Sequence, residues 1–123
     1  MPLHTILIED SETIRENLIP TLAELANVQV IAVAEGASEA IEALHRFGDE
    51  WDLAIVDLFL KEGSGLSVLR AGQSRSPHQH MLVLTNYPTA EIRRRCLALG
   101  ADGVFDKSTE LEAFFDRCQS YGS

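Results

Sequence analysis

Five polar residues stand just past short apolar runs in this chain, and their types suit one chemistry. Glu9 and Asp10 follow Thr5-Ile6-Leu7-Ile8, and Asp57 follows Leu53-Ala54-Ile55-Val56. Thr85 follows Met81-Leu82-Val83-Leu84, and Lys107 comes soon after the weaker run Gly103-Val104-Phe105. Three carboxylates gathered at one place repel, and cannot all stay ionised comfortably without a cation. The hard cation that takes one or two carboxylates and keeps several waters is Mg²⁺. A carboxylate beside a metal, a hydroxyl and an ammonium suits phosphoryl transfer. The carboxylate attacks phosphorus, and metal and lysine neutralise charge on the transferring oxygens. Taken singly, each residue has a plainer use. Glu9 and Asp10 can cap a helix, Asp57 can be a loop carboxylate, Thr85 can be ordinary strand composition, and Lys107 can be a solvated surface lysine. Their coincidence favours the chemical reading. The chain has only two lysines, Lys61 and Lys107.

The elements that must position these residues alternate along the chain. The four runs above and Val28–Val33 are nearly continuous apolar stretches rich in Ile and Val, which suits strands covered on both faces. Between them lie helix patterns. Ile14, Leu18, Leu22 and Leu25 share a face in the first, where Pro20 removes a backbone hydrogen bond and predicts a kink. Ala40, Ile41, Leu44 and Phe47 share a face in the second, which Gly48 terminates. The third is predicted from about Leu66 to Arg75. In the fourth, Pro88 suits the first turn, Ile92, Cys96 and Leu99 form the stripe, and Gly100 ends it. The fifth opens on Thr109-Glu110-Leu111-Glu112, a capping-box pattern, with Leu111, Phe114, Phe115 and Cys118 as its apolar face. Strand then helix, five times over, calls for an α/β fold, a doubly wound parallel sheet with right-handed crossovers. For five strands the flavodoxin-like order 2-1-3-4-5 is the natural choice, and ligands then bind beyond the carboxyl ends of strands 1 and 3. The second strand ends in Ala34-Glu35, on the far side of the first, and offers the site little.

Composition agrees with one soluble domain over residues 1–123. At 123 residues the chain can bury a hydrophobic core without staples. Hydrophobic residues make up 46% and charged residues 24%, ordinary values for a globular protein. The formal charge of −9 argues against direct binding of nucleic acid, which needs a basic surface. Cys96 and Cys118 each fall on the apolar face of a predicted helix and read as buried, reduced thiols. Met1-Pro2-Leu3-His4-Thr5-Ile6 lacks the pattern of a signal peptide, and no apolar run approaches membrane-spanning length. The expected location is cytoplasmic.

Four segments resemble the response-regulator receiver family, in order and over nearly the whole chain. Ile8-Glu9-Asp10-Ser11 resembles its acidic pair, and Val56-Asp57-Leu58 with Gly63-Ser64-Gly65-Leu66 its phosphoacceptor strand and loop. Leu84-Thr85-Asn86 resembles the hydroxyl strand, and Gly100-Ala101-Asp102-Gly103-Val104-Phe105-Asp106-Lys107-Ser108 the strand that delivers the lysine. The resemblance implies that Asp57 is the phosphoacceptor in a two-component phosphorelay. It implies that Asp10 binds Mg²⁺ directly and Glu9 through water, with Asp57 and the carbonyl of Phe59 as further ligands. Thr85 and Lys107 would contact the phosphoryl group. The donor would be a sensor histidine kinase or a histidine phosphotransfer protein, and output would pass to a protein partner or to an output domain not in this chain. The chain would then be no turnover enzyme, catalysing only its own phosphorylation and dephosphorylation.

Several residues depart from the family pattern. Ser108 replaces a proline that often follows the lysine with a cis bond, so a trans bond is expected. Lys61 replaces a proline four residues after the acceptor, and Val104 replaces the aromatic switch residue three before the lysine. Phe59 and Tyr87, two after the acceptor and two after the threonine, border the path of attacking water, and Asn86 stands where the family usually keeps Ala or Gly. The expected partner face is the fourth and fifth helices with the fifth strand, where Arg93, Arg94 and Arg95 meet Asp102, Asp106, Glu110 and Asp116. Rival readings fit less well. An aspartate-nucleophile phosphatase of the haloacid dehalogenase type needs an acid where Phe59 stands. A flavodoxin needs a hydroxyl- and glycine-rich phosphate loop where Glu9-Asp10-Ser11-Glu12 stands. A pseudo-receiver, a protein-interaction module that is never phosphorylated, would have an incomplete site.

Overall fold

Five strands and five helices alternate in the computed structural model, which describes residues 2–122. The order is β1 (Leu3–Ile8), α1 (Glu12–Ala26), β2 (Val28–Ala34), α2 (Ala37–Phe47), β3 (Leu53–Val56), α3 (Gly65–Ala71), β4 (His80–Thr85), α4 (Ala90–Ala98), β5 (Gly103–Asp106) and α5 (Leu111–Gly122), with a 3₁₀ turn at Gly48–Glu50. The strands are all parallel in the order β2-β1-β3-β4-β5. This is the flavodoxin-like arrangement expected from the alternation of runs.

Alternation along the central strands divides the core into two layers. Ile6, Ile8, Ala54, Val56, Met81 and Val83 pack with residues of α2, α3 and α4. Leu7, Leu53, Ile55, Leu82 and Leu84 pack with Leu18 and Leu22 of α1 and Phe114 and Cys118 of α5. The three central strands are thus covered on both faces, as their continuous apolar runs require. β2 differs, because it is an edge strand. Val30, Ile31 and Ala32 are only half-buried and Val33 is exposed. The other edge, β5, would leave outward carbonyls unpaired. Arg117 Nη1 donates to the Asp102 carbonyl (3.1 Å) and Arg93 Nη1 to the Val104 carbonyl (2.9 Å), which blunts that edge.

Local expectations fail in four helices. α1 runs on through Pro20, but Leu25 is exposed and Ala26 takes its place in the core. α3 stops at Ala71 instead of reaching Arg75. Gly72 lies so close to Met81 that a Cβ there would sit 2.3 Å from its sulfur, and Arg75 turns away to bind Gln79, Gly72, Gly100 and Asp102. Pro88 lies outside α4, whose N-cap is Thr89 with its hydroxyl accepting from the Ile92 N–H. Of the predicted stripe in α4 only Cys96 is buried. The turn that leads into α5 is closed from Asp106, upstream of Thr109. The Asp106 carboxylate accepts the Ser108 and Thr109 N–H groups, and Glu110 reaches back to the Asp106 N–H. Leu111 consequently stays exposed at the start of α5.

No helix among the described residues is long and apolar enough to cross a membrane. Cys96 and Cys118 are buried free thiols in opposite layers of the core. Burial raises both, and it pushes Cys118 up to about 12. Both thiols should therefore resist iodoacetamide at pH 8 in the folded protein and react fully in denaturant. Rapid modification of either in the native state, followed by mass spectrometry, would contradict this packing.

Candidate functional site

The acidic ends of β1 and β3 meet because the two strands are in register, with Ile8 opposite Val56. The Asp57 N–H donates to the Ile8 carbonyl at 3.0 Å, which locks the two ends together. Glu9 (2% exposed) and Asp57 (6% exposed) are buried, whereas Asp10 is half-buried. One carboxylate oxygen from each of Glu9, Asp10 and Asp57 can lie within 4.8 Å of the others, a spacing that can hold a metal ion.

Lys107 arrives from the end of β5. Its Nζ donates to Glu9 Oε1 at 2.6 Å and to Asp57 Oδ2 at 3.1 Å. The lysine is placed by its backbone, since the Lys107 N–H donates to the Thr85 carbonyl at 2.9 Å. Thr85 is fully buried, and its hydroxyl accepts the Tyr87 N–H at 3.2 Å. Burial raises Glu9 above the ordinary carboxylate range, against the pull of Lys107. Burial alone would lower Lys107, but its bond to Glu9 and the charge of Asp57 outweigh that and raise it. The lysine therefore stays charged at neutral pH. Asp10 makes no side-chain hydrogen bond or ion pair among the described residues. One ammonium thus faces three carboxylates, and the unpaired one points to a site for a hard cation.

The loop after β3 is held by glycine and by α2. At Gly65 a Cβ would sit 2.3 Å from the Asp57 carbonyl, so only glycine lets the start of α3 approach the acceptor strand this closely. Gly63 has φ +74° and faces Ala37, where a Cβ would approach to 2.6 Å. The Glu62 carboxylate accepts from the Ser38 N–H (3.0 Å) and hydroxyl (3.2 Å), pinning the loop to α2. At the rim, Phe59 and Tyr87 make an edge-to-face pair with centroids 5.4 Å apart. They are 57% and 63% exposed, so they form a lip over the site and leave the core to others. No cis peptide bond occurs among the described residues, so Lys107–Ser108 is trans.

Some partners were not expected. Arg15 Nη1 donates to the Glu9 carbonyl (2.7 Å) and to Glu35 (3.1 Å), and Lys61 Nζ lies 3.9 Å from Glu35. Glu35 therefore helps to hold the acidic corner, more than the expectation that the end of the second strand offers the site little. The only sequence signal was the place of Arg15 one turn past the N-cap Ser11. The partner-face charges pair as expected in part. Arg93 binds Glu110, but Arg94 binds Glu91 of its own helix, and Asp102 is taken by Arg75.

Against known proteins, the family model described as response regulator receiver domain matches residues 5–119. The chain belongs to the response regulator receiver domain family. Among curated relatives of this receiver, the two-component response regulator PhoP of Pseudomonas aeruginosa is 31% identical over 108 residues, covering 87% of this chain and 46% of that protein. A cyclic di-GMP phosphodiesterase of Thermotoga maritima is 30% identical over 108 residues, covering 88% of this chain and 28% of that protein. The chain thus spans about half, or less, of the curated relatives it matches. Among solved structures, the CheX–CheY–BeF3–Mg complex of Borrelia burgdorferi matches with TM-score 0.86 at 15% identity, covering 100% of this chain and 91% of that one. A signal receiver domain from Colwellia psychrerythraea matches with TM-score 0.82 at 22% identity, covering 96% of both. At these identities the structural likeness speaks for the fold alone.

The unequal ties of the two acids at the end of β1 lead to a test. Asp10→Ala should weaken Mg²⁺ binding about tenfold or more, and Glu9→Ala less, because Glu9 is already held by Lys107 and by the Ser11 N–H. Magnesium titration by calorimetry reads both, and equal losses would contradict the division of roles.

Proposed function

We propose that this receiver takes a phosphoryl group onto Asp57 in a Mg²⁺-dependent reaction, and that residues 1–123 act as one receiver domain. The observation that carries the reading is the Lys107 bridge between Glu9 and Asp57, with the free carboxylate of Asp10 beside it. A carboxylate oxygen of Asp57 attacks the phosphorus of a phosphohistidine. The P–N bond breaks, and the imidazole leaves and takes a proton. Lys107 shifts from Asp57 to a phosphoryl oxygen, and the Thr85 hydroxyl, still accepting the Tyr87 N–H, donates to another. Asp10 would ligate Mg²⁺ directly, Glu9 through water, and Asp57 and the Phe59 carbonyl would complete the protein ligands; the ion would supply charge neutralisation on the transferring oxygens. The donor is a sensor histidine kinase or a histidine phosphotransfer protein. Its phosphorylation and dephosphorylation are the only reactions it catalyses, and output passes to a protein partner without direct contact to nucleic acid.

Asp57→Asn should abolish acid-labile phosphorylation by a small-molecule phosphodonor, and chelating Mg²⁺ should do the same in wild type. Stoichiometric labelling of the asparagine variant would remove Asp57 as the acceptor.

The lip sets the lifetime of the acyl phosphate. Neither Phe59 nor Tyr87 is an efficient base at neutral pH, and an aromatic pair standing two residues after the acceptor and two after the threonine has the bulk to shield the acyl phosphate. Slow self-dephosphorylation follows, with the signal ended by a phosphatase or by back-transfer. The double variant Phe59→Asn, Tyr87→Glu can orient a water, and should speed loss of phosphate about tenfold, or about 1.4 kcal/mol of barrier. A wild type that already loses phosphate as fast would show that the shield has no effect.

A further inference from the structure

The aromatic residue that many receivers use to report phosphorylation is replaced here by Val104, and an arginine has taken hold of that residue's backbone. Arg93, in the first turn of α4, makes hydrogen bonds to three separate elements. Its Nε donates to the Pro88 carbonyl in the β4–α4 loop (3.1 Å), its Nη1 to the Val104 carbonyl on β5 (2.9 Å), and its Nη2 to Glu110 at the head of α5 (2.7 Å). Glu110 Oε1 also accepts the Asp106 N–H (3.0 Å), and Asp106 is the residue before Lys107. The pairing with Arg93, reinforced by the Asp106 N–H, holds Glu110 below the ordinary carboxylate range. Both side chains of the ion pair are 37% exposed, so as a simple salt bridge it would add little stability. Its significance lies in what it joins, since a planar guanidinium can hold two main-chain carbonyls and a carboxylate in one fixed geometry.

The same loop is tied to the chemical site at its other end. Within it, the Tyr87 N–H rests on the Thr85 hydroxyl, and the Thr89 N–H on the Tyr87 carbonyl. A threonine hydroxyl can donate to a phosphoryl oxygen while it still accepts an N–H, so a Thr85 side chain that turns toward a phosphoryl group draws the Tyr87 N–H with it, and Pro88 is the next residue. We propose that Arg93 is the positioning residue that couples the site to the α4–β5–α5 face. It clamps the β4–α4 loop in the resting arrangement and lets go of Pro88 when Thr85 is captured by a phosphoryl group. This rests on the reading of Asp57 as phosphoacceptor. A clamp made only in the resting state biases the protein against the phosphorylated arrangement, so removing it must favour that arrangement.

The test uses the whole chain with Mg²⁺ and beryllofluoride, an acyl-phosphate mimic, and reads both affinity and amide hydrogen exchange. In wild type, binding should speed exchange in residues 86–89 and at the head of α5. Arg93→Ala should show that faster exchange before any ligand is added. It should bind beryllofluoride about fivefold tighter or more, and change little further at α5. Arg93→Lys, which keeps the charge but not the fork, should fall between the two. A merely structural role would loosen the region but would not tighten binding at a site that Arg93 does not touch. Equal affinity and an equal exchange response in wild type and Arg93→Ala would overturn the clamp while leaving the phosphoacceptor reading intact. Failure of the wild type to bind beryllofluoride would overturn both. Should Arg93→Ala not fold, Arg93→Lys and Glu110→Gln make the same comparison.

Discussion

One lysine compensating buried acids is the interaction on which this structure turns. Lys107 reaches from the end of β5 across the sheet to Glu9 and Asp57. Two like charges about 4 Å apart repel by on the order of 4 kcal/mol at an effective dielectric of about 20, and an opposite charge returns a similar amount. One ammonium therefore cannot neutralise three carboxylates. The site holds an excess of negative charge that a divalent ion would relieve, and among the described residues Asp10 is the carboxylate without a side-chain partner. Strand order, register and the Thr85–Lys107 backbone bond all serve to bring that lysine to those acids.

The fold and the chemical residues were legible because both rest on strand ends. A continuous apolar run such as Leu53–Val56 has little choice but to be a central strand, and the polar residue after it must then lie at the carboxyl edge. Helix detail was less legible because tertiary contacts override local pattern. Gly72 against Met81 ends α3 early, and Asp106 with Glu110 displaces the capping box written in Thr109–Glu112. Leu25 matched the helical period of α1 but faces solvent, because the core beneath that end is filled by Ala26. The carbonyls held by Arg15, Arg75 and Arg93 could not be read from the sequence, since a long charged side chain chooses among carbonyls that only the folded chain brings near.

Those arginines show how the rest of the chain answers to the site. Arg15 braces the acidic corner from below by holding Glu9 and Glu35. Arg93 and Arg117 close the open edge of β5 from the two flanking helices. The edge-to-face pair of Phe59 and Tyr87 joins the acceptor loop to the loop that follows the threonine. The Phe59 N–H lies on the Asp57 carboxylate, the Phe59 ring meets Tyr87, and the Tyr87 N–H rests on Thr85, so the acceptor loop is joined to the loop that Arg93 holds.

The central claim is that the acceptor carboxylate is Asp57. Wild-type protein can be treated with a small-molecule phosphodonor and Mg²⁺, reduced with borohydride so that an acyl-phosphorylated aspartate becomes homoserine, and mapped by peptide mass spectrometry. The account predicts homoserine at position 57, and none when Mg²⁺ is chelated. Homoserine at Asp10 instead, or labelling that survives chelation, would contradict it.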